Sequence, residues 1–239
     1  MKNHNVNYTM KLDNISYKID DKVILNNLNL DLLKGEFLIL LGANGCGKST
    51  LMNIISSNIK NYKGCINFHD NFVLAKSLKI MTQNSFDSLF VDLSVYDNYR
   101  ILNHKLHNRK AMTLDDFMSY IGQFNINLSQ KLDTVVSVLS GGERQALVLA
   151  LLTCYQPELL LLDEHTSALD PVAANNIMQL TNKIVRHNNI SCILTTHDLE
   201  IAQEYGDKIL VLGTNSTYQI IDSESKKQLT IDYMKQNFY

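Results

Sequence analysis

Apolar and polar residues change rhythm several times along this chain, and each rhythm predicts a different element. Between Lys11 and Leu32 they alternate, with Val23, Leu25, Leu28 and Leu30 separated by Asn-rich positions. A period of two predicts short antiparallel strands. Glu36 to Leu41 (EFLILL), apolar from Phe37 onward, predicts a buried strand, and Leu51 to Ser57 predicts a helix. Cys65 to Leu74 and Lys79 to Thr82 carry further strand signal. From Ser94 onward the spacing becomes helical, through Tyr99, Ile101, Phe117, Ile121 and Phe124. A helix is expected from about Gly141 to Tyr155. Leu159 to Leu162 reads as a strand buried on both faces, as parallel sheets require. Pro171 suits the first turn of the next helix, with a core stripe of Val172, Ile177, Leu180 and Ile184. Ser191 to Thr195 and Lys208 to Leu212 add strands. This order predicts an α/β core with a mainly parallel sheet, an antiparallel β-rich N-terminal part and an inserted helical subdomain.

Composition narrows the function classes. The 239 residues are 45% hydrophobic with a formal net charge of -2, so a substantial core is possible. Lys and Arg are scattered rather than blocked, which argues against a nucleic-acid surface. Cys46, Cys65, Cys154 and Cys192 form no C-x-x-C pair, which argues against zinc or a disulfide framework and fits reduced thiols. The polar N-terminus lacks the apolar region of a signal peptide. The longest apolar run, Ala146 to Leu152, is too short to span a bilayer, so a chain acting at a membrane would need another to cross it.

The candidate chemistry starts at Gly42-Ala43-Asn44-Gly45-Cys46-Gly47-Lys48-Ser49-Thr50. This segment fits G-x-x-x-x-G-K-[ST], between a predicted strand and a predicted helix. Such a loop wraps backbone N–H groups around phosphates. Lys48 supplies a charge to the β and γ phosphates, Ser49 can ligate Mg²⁺, and the helix N-terminus adds partial positive charge. A P-loop core that binds a nucleoside triphosphate is therefore expected. Leu159 to Glu164 (LLLLDE) presents Asp163 and Glu164 at a strand's carboxyl end, where open α/β sheets bind ligands. Asp163 is placed to hold Mg²⁺ and Glu164 to polarise an attacking water. Ser140 in Leu139-Ser140-Gly141-Gly142-Glu143-Arg144-Gln145 can cap a helix whose first N–H groups lie at two glycines, a second anion site.

The LSGGERQ segment, the P-loop, the LLLLDE strand, Gln83, Ser167-Ala168-Leu169-Asp170 and His197 resemble, in order and spacing, the ATPase domains of ABC transporters. The resemblance covers nearly the whole chain. It implies one ABC ATPase domain, with a nucleotide-binding core at roughly 1–83 and 156–239 and a helical subdomain at roughly 84–155 that carries the signature motif. It also implies that two cassettes sandwich two ATPs. Ser140, Gly141 and Gly142 would then clamp the γ-phosphate bound by the opposite subunit's P-loop. Catalytic roles fall to Glu164, His197 and Gln83, with Gln83 also touching the metal held by Ser49 and Asp163. Asp170 would cross the dimer interface and Tyr17 would stack on adenine.

The expected partners are a second ATPase subunit (two identical copies), a membrane permease and, indirectly, a solute-binding protein, with no nucleic acid. The expected location is peripheral, on the cytoplasmic side of the cell membrane. A soluble scaffold-type cassette is the competing reading.

Where most of the family carries proline after the glutamate, this chain has His165. The loop DEHTSALD resembles a narrower branch, the tryptophan/tyrosine-type importer ATPases, as do LTNKIVRHNN and SESKKQLT. An amino acid or similar small solute is the cargo this implies. His165 is expected to lie on a surface loop, replaceable by proline with ATPase largely intact. Cys46 is expected to have a lowered pKa at the helix N-terminus, so that alkylation blocks ATP binding.

Overall fold

The computed structural model describes residues 8–105, 112–213 and 215–226. The last four residues of SESKKQLT, 227–230, lie outside them. The chain forms two compact units, one of Met1–Lys79, Pro157–Asp163 and Val185–Tyr239, the other of Ile80–Gln156 and Glu164–Ile184.

The first unit begins with β1 (Tyr8–Ile19) and β2 (Lys22–Leu33), paired antiparallel. These are two long strands, where the alternation predicted several short ones. Two of the Asn positions are irregularities inside continuous strands. Asn14 and Asn27 take positive φ angles of 54° and 48°, and the β1–β2 register shifts between Leu12 and Ile15. Side chains replace ladder bonds there: Asn14 N–H donates to Asn29 Oδ1 at 2.9 Å and Asn27 N–H to Ser16 Oγ at 2.8 Å. Met10, Leu12, Ile15, Leu25, Leu28, Leu30 and Leu32 remain on a buried face.

Next come β3 (Phe37–Leu41), buried at every position, and α1 (Lys48–Ile55). β4 (Lys63–Phe68) completes a three-stranded sheet of order β2-β1-β4. The strand signal that ran to Leu74 stops at Phe68. The chain turns there, with Phe72 N–H donating to His69 O at 2.9 Å and the Phe72 ring stacked 4.2 Å from that of Phe68. The short helix α2 (Leu74–Ser77) leads into β5 (Leu78–Met81).

The second unit contains α3 (Val95–Lys105), α4 (Leu114–Gly122), α5 (Ile126–Ser129) and α6 (Gly141–Thr153). Tyr99 and Phe117 stack at 4.3 Å between α3 and α4, and Tyr120 donates to Ala150 O at 2.8 Å, tying α4 to α6. Every residue from Gln145 to Leu151 is buried, so α6 is the helix around which this unit packs.

β6 (Leu159–Asp163) returns to the first unit, α7 (Pro171–His187) lies largely in the second, and the first unit closes with β7 (Ser191–Thr196), α8 (Leu199–Tyr205), β8 (Lys208–Leu212), β9 (Tyr218–Ile221) and α9 (Ser223–Lys226). The large sheet runs β5-β6-β7-β3-β8-β9. β6, β7, β3 and β8 are parallel, and β9 is antiparallel to β8. β9 escaped the sequence reading because only Ile221 in it is buried. Val172 does not join the stripe of α7. It is 71% exposed, whereas Ile177 and Ile184 are buried. Five residues separate Val172 from Ile177, which turns it about 140° around the helix, while the seven from Ile177 to Ile184 bring the face back within about 20°.

Candidate nucleotide site

In the first unit the site stands on the carboxyl ends of three neighbouring parallel strands. β3 leads into the P-loop, β6 ends at Asp163, and β7 ends one residue before His197. Register sets the heights: Asp163 pairs with Thr195, and Thr196 pairs with Leu41.

Two glycines make the loop possible. A Cβ on Gly42 would lie 2.6 Å from the Leu212 carbonyl oxygen, a backbone atom that cannot swing aside. Gly47 caps α1 at φ 112°, a left-handed conformation that L side chains avoid. Having no side chain, it cannot cap the first turn itself, and no acidic residue sits there either. A first turn with no side-chain cap from Gly47 and no acidic residue, together with the helix dipole, favours an anion.

Lys48 is 6% exposed, and its Nζ donates to the loop carbonyls of Gly42 at 2.7 Å and Ala43 at 3.3 Å. The ammonium is thus held over the loop. Asp163 receives two hydroxyls, Ser49 Oγ on Oδ2 at 3.2 Å and Thr195 Oγ1 on Oδ1 at 2.5 Å. A carboxylate and a serine hydroxyl in contact are a hard oxygen donor set suited to Mg²⁺. Thr195 escaped the sequence reading. Its signal was the pair of threonines ending an otherwise apolar strand, SCILTT.

Tyr17 is half-buried on β1, opposite Leu25, beside another register shift. Leu25 Cδ2 is 3.5 Å from where a Gly47 Cβ would stand, so the cross-strand partner of Tyr17 abuts the P-loop. His197 is exposed and precedes Asp198, whose side chain caps α8.

Cys46 departs from expectation. It is 6% exposed, and its Sγ lies 2.6 Å from the position of a Gly42 Cβ. Burial pushes its thiol pKa up, and the opposing pull of Lys48 and of backbone hydrogen bonds is the smaller effect. The helix N-terminus therefore does not make a reactive thiolate here. Iodoacetamide at pH 7.5 is expected to label exposed Cys65 well before Cys46, followed by mass spectrometry of the peptides. Faster labelling of Cys46 would contradict its burial.

In the second unit Ser140 caps α6 in a full capping box. Its Oγ accepts from Glu143 N–H at 3.2 Å, and Glu143 Oε2 accepts from Ser140 N–H at 3.0 Å. Desolvation works against the Glu143 carboxylate, but hydrogen bonds from Lys131, at 2.6 Å, and from Ser140 outweigh it and lower its pKa. The box satisfies two N–H groups and leaves those of Gly141 and Gly142, and the Ser140 hydroxyl proton, outside it.

The same unit gathers the remaining candidates around α7. A Cβ on Gly141 would be 2.9 Å from Leu169 Cδ2, and one on Gly142 would be 3.6 Å from Ala173 Cβ. Asp170 Oδ1 caps α7, accepting from Val172 N–H at 3.1 Å and Ala173 N–H at 3.0 Å. Gln83 Nε2 donates to Ser167 Oγ at 3.2 Å. Glu164 opens the loop with φ 43°, an uncommon conformation for a non-glycine residue. An open cavity of about 690 Å³ is lined by Leu93, Tyr96, Asp97, Tyr99 and Arg100, among others.

His165 is the second departure. The ring is not on the surface but fully buried, and burial pulls its pKa down to about 4. It is neutral at physiological pH, with Nε2 3.1 Å from Thr181 Oγ1. Nδ1 is buried without a hydrogen bond among the described residues, which costs about 1–3 kcal/mol. A single polar residue in a polar loop gave no periodic signal from which burial could be read.

Residues 25–167 match the family model described as ABC transporter. The chain belongs to the ABC transporter family. A tyrosine transport ATP-binding protein of Clostridioides difficile (strain R20291) is 34% identical over 235 residues, 92% of each chain. The "Probable iron export ATP-binding protein FetA" of Escherichia coli (strain K12) is 35% identical over 208 residues, 85% of this chain and 90% of that one. Among solved structures, CbiO1 of Clostridium perfringens, part of the ABC transporter complex CbiONQ, superimposes with TM-score 0.79 at 24% identity, covering 96% of this chain and 94% of that one. The fold is that of the ABC ATPases. This ABC protein is the ATP-binding and ATP-hydrolysing subunit of a membrane transporter, and permease subunits are its partners. Among the described residues no helix is long and apolar enough to cross a membrane.

Proposed function

We propose that this ABC ATPase drives import of an amino acid or similar small solute. The observation that carries the reading is similarity to the tyrosine transport protein across nearly the whole of both chains, together with the loop DEHTSALD. The E. coli relative is named for probable iron export, so direction rests on this branch rather than on the family. A solute-binding protein would then deliver cargo to the permease, with the ATPase on the cytoplasmic face of the membrane.

Within that function the residues divide the work. Gly42 to Thr50 cradle the phosphates of ATP, with Lys48 facing the β and γ groups, and Tyr17 stacks on adenine. Ser49 and Asp163, with Gln83, hold Mg²⁺, which when bound neutralises phosphate charge. Glu164 polarises the attacking water, and His197 donates to the γ-phosphate. Ser140, Gly141 and Gly142 grip the γ-phosphate held by a second copy of the chain, and Asp170 lies at the interface. The two candidate anion sites support this: one is the first turn of α1 behind Gly47, the other the N–H groups that the α6 capping box leaves over. Closure passes to the permease near Gln83 and the helical subdomain, where the cavity beside Tyr96, Asp97 and Arg100 offers a seat.

The test uses the Glu164→Gln chain assembled with its permease in vesicles. ATP and Mg²⁺ are expected to bring two ATPase copies together, read by cross-linking and mass. ATPase subunits that stay strictly monomeric would overturn the sandwich. In parallel, the unaltered complex supplied with its binding protein is expected to accumulate radiolabelled tyrosine or a related amino acid, and accumulation of none would overturn the cargo class.

A further inference from the structure

The hydrogen bonds of His165 and Thr181 define a tether at the start of the loop that Glu164 opens. Both side chains are fully buried. Thr181 Oγ1 donates to Ile177 O at 2.8 Å, one turn back on α7. A hydroxyl has one proton to give. The contact between Thr181 Oγ1 and His165 Nε2, at 3.1 Å, must therefore be an N–H donated by the ring. This makes His165 the Nε2–H tautomer, anchored through Thr181 to the body of α7.

The anchor sits next to a strained residue. Glu164 holds φ 43°, and such a conformation persists only where its surroundings over-determine it. The far side of the loop is tied down separately: Ser167 N–H donates to Glu164 O at 3.0 Å, Leu169 N–H to Thr166 O at 3.1 Å, and Asp170 caps α7. None of these bonds holds residue 165. The ring does, through a helix that the loop itself does not contain.

We infer that His165 is a positioning residue for hydrolysis: its bond to Thr181 ties the backbone at Glu164 to α7 and so fixes the aim of the Glu164 carboxylate. The inference rests on the reading of Glu164 as the group that polarises water. The His165 ring is sealed from the surface, so it acts only through its neighbour. A proline at 165 has no donor for Thr181, so His165→Pro is expected to lower turnover, in place of the near-silent exchange that a surface position suggested.

The experiment measures kcat, KM and equilibrium ATP affinity on the full chain for Thr181→Val, His165→Leu, the double variant and His165→Gln. Thr181→Val keeps the shape and removes the acceptor. Misplacing a catalytic group by about 1 Å costs up to about 100-fold. Thr181→Val and His165→Leu are each expected to lower kcat on the order of 10-fold, with ATP affinity within about twofold. The double variant is expected to be no worse than the singles, because both cut one bond. His165→Gln, whose amide can reach Thr181 as a donor, is expected to recover most of the loss. Wild-type kcat in Thr181→Val, or a parallel fall in ATP affinity, would overturn the proposal. Should His165→Leu fail to fold, Thr181→Val and His165→Gln still decide it. Glu164→Gln serves as the control: if it is inactive while Thr181→Val is fully active, only the tether fails, and if it turns over normally, the reading of Glu164 fails first.

Discussion

Glu164→Gln is expected to lower ATP turnover by about 1,000-fold while leaving ATP affinity within about twofold. The reasoning is geometric and electrostatic. Gln has the size of Glu and tolerates the same backbone, so the φ 43° turn and its bond from Ser167 N–H should survive. What is lost is a carboxylate able to take a proton from water. General-base assistance of this kind contributes about 10²- to 10⁴-fold. Binding is spared because the P-loop, Lys48 and the Ser49–Asp163–Thr195 cluster are unchanged. Single-turnover assays with labelled ATP, alongside equilibrium nucleotide binding, separate the two quantities. Full turnover by this variant would remove Glu164 from the chemistry.

Lys48→Ala has the opposite signature: ATP affinity should fall by about 100-fold. Charge-assisted hydrogen bonds contribute about 1.5–3 kcal/mol, and tenfold in affinity is about 1.4 kcal/mol. The loss is not offset by relief elsewhere. Lys48 Nζ is buried against the carbonyls of Gly42 and Ala43, and removing it strips those acceptors of a donor in the nucleotide-free chain as well. A modest drop in stability, about 1 kcal/mol, should therefore accompany the loss of binding. Calorimetric titration with ATP and a thermal melt of the same sample read both. Affinity within threefold of wild type would show that the ammonium does not face the phosphates.

Local pattern carried much of this protein. The run EFLILL became β3, SCILT became most of β7, and KILVL became β8, because the middle of a strand buried on both faces is built from apolar residues. Ser140 was legible as a cap because Ser followed three residues later by Glu satisfies helix N–H groups through short-range bonds alone. Asp170 ahead of Pro171 was legible for the same reason. The local form of the candidate phosphate loop was also readable, since the glycines and lysine that shape it lie within nine consecutive residues.

Other features depended on contacts that sequence spacing does not encode. The alternation between Lys11 and Leu32 predicted short strands, and only the cross-strand pairing, with side-chain bonds at Asn14 and Asn27, shows two continuous ones. Val172 has the right character for the α7 stripe but the wrong angle around the helix. Cys46 sits where a helix dipole lowers thiol pKa, yet packing over Gly42 makes desolvation the larger effect.

Amino-acid order by itself determined the strand, turn and helix start of the candidate phosphate loop, because these depend on neighbours along the chain. Tertiary structure alone decided that Thr195 would share Asp163 with Ser49, and that a loop histidine would be sealed against Thr181 sixteen residues away. Burial and partner choice belong to surfaces brought together by folding. The protonation and aim of a side chain follow from them.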